Sequence, residues 1–144
     1  MPTKERKIKS TMTTEKTRTF SVKIAYTSSE LSVEDKIRLK DTRDAQSLES
    51  ISRDGAVKIG IVAYAVLKIH NEKSDDKDYT QYVFMDKDGN KYMTGSEPFF
   101  NSFTDIWEEL DDAEIPVEER YFKIYQLPSR NFVGRNFVTC SLAK

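Results

Sequence analysis

The sequence has few of the residues on which most catalytic and metal sites depend. Its 144 residues include one cysteine, one histidine and five glycines. Cys140 has no partner for an internal disulfide, and it lies in an apolar strand pattern typical of a buried thiol. His70 alone cannot form an ordinary zinc site, and one histidine with one buried cysteine does not make a catalytic pair. Because glycine-rich phosphate loops are absent too, we expect a protein that is not an enzyme and uses no cofactor or metal.

Long hydrophobic runs are also missing. No segment approaches membrane-spanning length, and the first twenty residues, rich in Lys and Thr, lack the apolar core of a signal peptide. We therefore expect a cytoplasmic protein without a membrane partner. Only 38% of the residues are hydrophobic and 33% are charged, so part of the chain is expected to lie outside any packed core.

Charge is nearly balanced overall but is segregated along the chain. The net charge is −1, yet residues 1–26 carry seven basic and two acidic side chains. Residues 104–119 carry eight acidic and no basic side chains, and residues 120–144 carry five basic and no acidic ones. Affinity for a polyanion depends on local patches, so the two basic regions remain candidates for binding one. The acidic segment is interpreted as the solvated face of a helix.

Apolar alternation divides the chain into an N-terminal extension and a core. Residues 1–19 are polar and are predicted to form a flexible basic arm. Residues 20–55 form an extension that begins with a short strand and continues with a segment fitting either helical turns or a strand. Residues 56–144 then predict strand, strand, strand, helix, strand, strand, the helix being capped by Ser96.

This order predicts the fold class. A five-stranded barrel with one helix between its third and fourth strands is the OB-fold. We therefore expect a mainly β protein, with an OB-fold core over 56–144; an α+β sandwich of the same elements is the alternative. The apolar residues at odd positions from 59 to 69 are expected to share one face of a long first strand. Gly60 lies within this strand, which suits a strand that bends to serve two sides of a barrel.

The first of the two C-terminal strands has an apolar side and an aromatic–basic side. Phe122 and Ile124 point one way, whereas Tyr121, Lys123 and Tyr125 point the other. A strand needs one apolar face to pack a core, so the second face is free to bind a partner. Single-stranded nucleic acid fits this face, because bases stack on rings and phosphates meet cations. A solvated face with amphipathic tyrosines is the alternative interpretation.

The loop after this strand adds Arg130, Asn131, Phe132 and Arg135. It could be an ordinary surface loop in which Gly134 permits the turn. However, an exposed phenylalanine flanked by two arginines is unusual for such a loop, and OB-folds commonly bind nucleic acid at this position. The predicted nucleic-acid-binding residues are Tyr121, Lys123, Tyr125, Arg130, Asn131, Phe132 and Arg135.

Three segments, 60–79, 88–110 and 128–140, resemble the OB-fold single-stranded DNA-binding proteins of Gram-positive conjugative plasmids and other mobile elements. The resemblance implies a sequence-tolerant DNA binder that acts in replication or conjugative transfer. Single-stranded DNA is the expected partner, with duplex DNA left open as a second ligand. We also expect a homo-oligomer held together by the N-terminal arm. The alternative is an OB-fold module of a transfer apparatus that binds proteins and does not bind DNA.

Overall fold

The computed structural model describes residues 19–143. The strands are β1 (Phe20–Thr27), β2 (Gln46–Ser47), β3 (Val57–Gly60), β4 (Ala63–Asn71), β5 (Asp78–Met85), β6 (Lys91–Thr94), β7 (Tyr121–Pro128) and β8 (Asn136–Leu142). The α-helices are α1 (Val33–Lys40), α2 (Leu48–Ile51) and α3 (Glu97–Asp112), and a short 3₁₀ helix spans Val117–Glu119. Between residues 19 and 143, none of the helices has the length and apolar character that crossing a membrane requires. The predicted arm, and the oligomer contacts assigned to it, lie outside the described residues apart from Thr19.

The strands form two sheets, which confirms the expectation of a mainly β protein. The five-stranded sheet has the order β1-β4-β5-β6-β2, and the three-stranded sheet has the order β3-β7-β8. Neighbouring strands are antiparallel except for β2 and β6, which pair in parallel. The predicted helix lies between β6 and β7, as the sequence order required.

The long strand predicted from residue 56 is broken where it passes from one sheet to the other. The backbone N–H of Ile61 donates to the carbonyl of Arg120, just before β7, at 3.2 Å. The backbone N–H of Val62 donates to the carbonyl of Met85, at the end of β5, at 2.9 Å. The expected bend beside Gly60 is therefore confirmed, and it connects β3 in one sheet to β4 in the other.

The break also shifts the alternation of side chains by one residue. Ile59 and Ile61 lie in the main core, whereas the odd-numbered residues from 63 to 69 lie in a second apolar cluster on the other side of the five-stranded sheet. Tyr64, at an even position, enters the main core. The expectation that all odd positions from 59 to 69 share one face is therefore wrong. Residues 61 and 62 separate the pairing of β3 with β7 from the pairing of β4 with β5.

The main core is built largely from aromatic rings of α3 and both sheets. Ser96 caps α3 by accepting a hydrogen bond from the Phe99 N–H at 3.1 Å, and a proline occupies the first turn. Phe99, Phe103 and Trp107 are buried at intervals of four residues, and the Phe103 ring centroid lies 4.8 Å from that of Phe122 on β7. Each fully buried ring contributes about 1.5–3 kcal/mol relative to an exposed one. The assignment of these helix aromatics to a core is confirmed.

The N-terminal extension covers the opposite face of the five-stranded sheet. α1 begins at a Ser32 cap, and Leu39 on this helix is fully buried in the second cluster. Lys91, a buried residue of β6, holds the end of α1 through its ammonium group. Its Nζ donates to the Arg38 carbonyl at 2.7 Å and to the Asp41 carbonyl. Residues 36–40, whose alternation also suited a strand, thus belong to a helix.

The closed five-stranded barrel is not confirmed, because residues 46–52 occupy the place where it would close. Closure would pair β6 with β8, but the outer edge of β6 pairs instead with β2, and no ladder joins β6 to β8 within 19–143. Thr94 on β6 donates to the Glu49 carboxylate at 2.6 Å. Gln126 on β7 donates to the Glu49 carbonyl at 2.8 Å and to the Ser52 hydroxyl at 3.1 Å. This segment thus bridges the two sheets through side chains rather than a continuous ladder.

Candidate nucleic-acid interface

The outer face of the three-stranded sheet carries the aromatic and basic side chains of β7. Phe122 and Ile124 are fully buried, whereas Tyr121 and Lys123 are exposed and Tyr125 is half-buried. Successive side chains of a strand point to opposite faces, so the predicted orientation is confirmed. The apolar pair faces the core, and the other three side chains face outward.

Lys58 joins this face from β3, and it is a residue that the sequence-based site did not include. β3 and β7 pair so that Lys58 lies opposite Lys123, and Gly60 lies opposite Tyr121. The Lys58 Nζ is 4.9 Å from the centroid of the Tyr121 ring, and the Lys123 Nζ is 5.2 Å from that of Tyr125. Both distances fall within cation–π range. The face therefore alternates positive charge with aromatic surface over two adjacent strands.

β8 widens the face with outward-pointing Phe137, Thr139 and Ser141, which pair with outward positions of β7. Phe137 is 44% exposed, and Leu127, which lies opposite it, is 41% exposed. The face is thus apolar where the strands enter their loop. The hydroxyl groups of Thr139 and Ser141 can form hydrogen bonds at the other end of the face.

The β7–β8 loop is closed by its own hydrogen bonds. The Ser129 N–H donates to the Arg135 carbonyl at 2.8 Å, and the Ser129 hydroxyl accepts from the N–H groups of Asn131 and Phe132, both at 3.3 Å. Gly134 has a φ of +83°, a conformation that glycine adopts at little cost. The predicted turn at this glycine is confirmed, and the loop has a defined shape.

This shape exposes the residues that the sequence singled out. Phe132 is 60% exposed, and the Arg135 guanidinium lies 5.7 Å from the centroid of its ring. Arg130 and Asn131 are exposed beside it. A flat ring next to a cation can stack on a base while the cation meets the adjoining phosphate.

A groove of about 650 Å³ separates the loop from the start of α3. Arg130, Asn131 and Leu127 line one side, and Ser96 and Pro98 line the other. The loop residues and the outer face of the sheet form neighbouring parts of one surface, because β7 and β8 lead directly into the loop. The sequence alone did not indicate the groove, since its two walls are about thirty residues apart in the chain.

Arg120 is basic but takes no part in this surface. It is 4% exposed, and its Nε and Nη2 donate to the Ile115 carbonyl at 2.9 and 2.6 Å. Its guanidinium lies 4.5 Å from the centroid of the Trp107 ring. Nη1 is 2.8 Å from an Asp111 carboxylate oxygen, an ion pair whose angle falls outside hydrogen-bond geometry. Arg120 therefore joins the end of α3 to the start of β7.

The remaining reactive groups make no second site at this surface. Burial raises the pKa of the Cys140 thiol to about 12, which keeps it protonated. Among the described residues, no three His, Cys, Asp or Glu side chains lie close enough to hold a metal ion. Family models, curated proteins and solved structures provide no match to the chain.

Proposed function

We propose that this chain is a non-enzymatic single-stranded DNA-binding protein of OB-fold type, with little sequence preference. In this proposal it works in the cytoplasm, in the replication or conjugative transfer of a mobile element. The observation that carries the proposal is the outer face of the three-stranded sheet. There, Lys58, Lys123, Tyr121 and Tyr125 alternate over two paired strands, and β7 leads from them to the loop with the exposed Phe132.

The strand order supports the OB-fold part of the proposal. If β3 and β4 count as one bent strand, the order from residue 57 is three strands, a helix and two strands. Four of the five ladders of an OB-fold barrel are present, and residues 46–52 stand in place of the fifth. The nucleic-acid surface of OB-folds includes the loop between the last two strands, which is the β7–β8 loop here.

In the proposed mechanism, cations capture the strand and rings then hold it. Lys58, Lys123, Arg130 and Arg135 meet phosphates, and the last three belong to a segment, residues 120–144, that has no acidic side chain. Neutralising each phosphate of a single strand contributes about −0.7 to the slope of log K against log salt, so four contacts give about −3. Stacking on Phe132 or Tyr121 adds about 1–3 kcal/mol per base and tolerates any sequence.

Fluorescence anisotropy of labelled oligo-dT, beside a matched duplex and over a salt titration, tests the proposal. Phe132→Ala should weaken single-strand binding by about 5- to 150-fold, which corresponds to about 1–3 kcal/mol. Arg130→Ala should reduce the magnitude of the salt slope by about 0.7. Phe20→Ala and Arg53→Ala are matched controls, because both residues are exposed and lie outside the proposed surface.

Absence of single-strand binding by the wild type at low salt would exclude the proposed function. A preference for duplex would exclude the stacking mechanism, since paired bases are not available to rings. Equal losses in Phe132→Ala and Phe20→Ala would show that the β7–β8 loop is not the site.

A protein-interaction module is the second candidate, and the apolar tip of the β7–β8 loop favours it. Val133 is fully exposed, and Leu127, Phe132 and Phe137 are between 41% and 60% exposed. Exposed apolar clusters of this kind are typical of interaction sites. A chain that is indifferent to DNA at all salt concentrations, and that binds a transfer protein through this loop, would favour the second candidate.

A further inference from the structure

Two lysines lie directly opposite each other on neighbouring strands of the five-stranded sheet. In the antiparallel pairing of β1 with β4, Lys23 lies opposite Lys68. In the pairing of β4 with β5, Lys68 lies opposite Thr80, and its Nζ donates to the Thr80 hydroxyl at 3.0 Å. Side chains at directly opposed positions are about 5 Å apart at Cβ, and like charges there destabilise a sheet. An anion bound beside these lysines would relieve this repulsion.

The neighbouring carboxylates do not supply that anion, because His70 engages them. His70 Nδ1 is 2.8 Å from the Asp78 carboxylate, and its Nε2 is 2.5 Å from that of Glu72. Glu72 also pairs with Lys77 at 3.4 Å. Between residues 19 and 143, Lys23 has no ion-pair or hydrogen-bond partner at its ammonium group.

The two lysines line an open cavity of about 440 Å³ together with the hydroxyl-bearing Ser21 and Thr80, and the His70–Asp78 pair lines the same cavity. The two ammonium groups only donate hydrogen bonds, and the two hydroxyls can rotate to donate one each. Together these groups suit a ligand with several acceptor oxygens. A tetrahedral phosphate has such oxygens, and the cavity has room for the attached sugar. The donors of Lys23, Lys68, Ser21 and Thr80 therefore suit a phosphate ester.

The residues before α3 link this cavity to the groove of the candidate interface. Thr80 lines the cavity, and a Cβ built on Gly95 would lie 3.9 Å from the Thr80 carbonyl oxygen. The next residue, Ser96, lines the groove beside Arg130. Gly95 therefore lies beside Thr80 of the cavity and precedes Ser96 of the groove, so the start of α3 is the direct route for a strand from the β7–β8 loop toward Lys68.

We propose that Lys23 and Lys68 form a second phosphate subsite, which holds a phosphodiester of the same nucleic-acid strand that the β7–β8 loop binds. The subsite rests on the proposed function, and it extends the binding path onto β1. Lys23 belongs to the N-terminal extension, so the extension contributes directly to binding. An OB-fold core without β1 would carry only half of this subsite.

The test is the salt dependence of oligo-dT binding by Lys23→Gln/Lys68→Gln. With an oligonucleotide of about 16 nucleotides, long enough to span both regions, the slope of log K against log salt should fall in magnitude by about 1.4. The double variant should unfold at the same or a higher denaturant concentration, because a like-charge pair is removed. Lys36→Gln/Lys40→Gln, on exposed positions of α1, makes the same charge change away from the cavity and should leave the slope unchanged.

Three results overturn the subsite, and they differ in what they say about the proposed function. If Phe132→Ala weakens binding but the double lysine variant does not change the slope, the loop binds DNA and the subsite is wrong. If inorganic phosphate shifts the amide resonances of Lys23 and Lys68 while oligonucleotide binding ignores the double variant, the cavity takes a free phosphate instead. If the wild type binds no oligonucleotide, both proposals fail.

Discussion

The ring of Tyr121 lies across the backbone of Gly60. The two residues are paired between β3 and β7, and a Cβ built on Gly60 would lie 2.8 Å from Tyr121 Cε1. This is closer than two carbon atoms approach without strain, so only glycine at position 60 allows the ring its place. The same ring lies under the Lys58 ammonium. The backbone of β3 thus fixes the orientation of one aromatic group of the proposed DNA surface.

Gly60→Ala should therefore displace the Tyr121 ring. Because the ring is partly exposed and can swing outward, we expect a loss of only about 1 kcal/mol in the free energy of unfolding, together with weaker oligo-dT binding. Denaturant titration and anisotropy measure the two effects. Gly95→Ala is the matched control for stability, since its added methyl group meets only the Thr80 carbonyl at an ordinary 3.9 Å. Unaltered binding by Gly60→Ala would mean that this ring is not a stacking platform.

Lys91→Met should release the end of α1 from the sheet. The substitution keeps the apolar part of the side chain but removes donors to two backbone carbonyls and the ion pair with Asp44. Charged hydrogen bonds of this kind are worth about 1.5–3 kcal/mol, so we expect a loss in that range. Amide hydrogen exchange should accelerate in α1 before it does so in β5. Asp44→Asn should cost less than Lys91→Met because Asp44 is largely exposed, and an equal cost would place the stabilisation in the ion pair alone.

Arg120→Lys should lower stability without changing the salt dependence of DNA binding. A lysine retains the charge but cannot donate twice to the Ile115 carbonyl or stack its head group flat on Trp107. We expect a loss of about 1–3 kcal/mol in the free energy of unfolding. Lys123→Gln is the contrasting variant, since it should reduce the magnitude of the salt slope by about 0.7 and leave stability nearly unchanged. A lower salt slope in Arg120→Lys would contradict the structural role assigned to Arg120.

The His70 cluster should make the β4–β5 hairpin sensitive to pH. Hydrogen bonds to Asp78 and then to Glu72 raise the pKa of His70, and the hydrogen bond from His70 lowers the pKa of Glu72. The stability that His70 contributes to the folded state is present below its ordinary pKa of about 6.5 and is lost as pH rises through the raised pKa. The stability that Glu72 contributes to the folded state is present above its ordinary pKa and is lost as pH falls through the lowered pKa. The cluster therefore stabilises the fold most between the ordinary pKa of Glu72 and the ordinary pKa of His70.

An NMR titration of the single imidazole measures this effect directly. Asp78→Asn should move the pKa of His70 back toward its ordinary value, because the largest cause of the shift is removed. Asp76→Asn, on an exposed loop residue nearby, is the control and should leave the pKa of His70 unchanged. Equal titration curves for wild type and Asp78→Asn would show that the contact with Asp78 does not form in solution.

Local patterns predicted most of the elements. The alternation along β7 placed Phe122 and Ile124 inside, because a strand has a period of two. The cap at Ser96 and the spacing of the aromatic residues after it located α3, because those signals act within a few residues. The extension was harder to predict, since residues 36–40 suit a helix and a strand equally, and burial of Leu39 against the sheet decides between them.

The surface chemistry of β7 and of the β7–β8 loop was determined by the sequence alone, because alternation and turn residues act over a few positions. Tertiary structure decided which distant residues share a surface. Lys58 lies opposite Lys123, and Lys23 lies opposite Lys68, only because strands far apart in the chain pair in one register. It also decided that residues 46–52 occupy the edge where a barrel would close. Pairing of distant strands depends on the packing of the whole core, so no local pattern contains it.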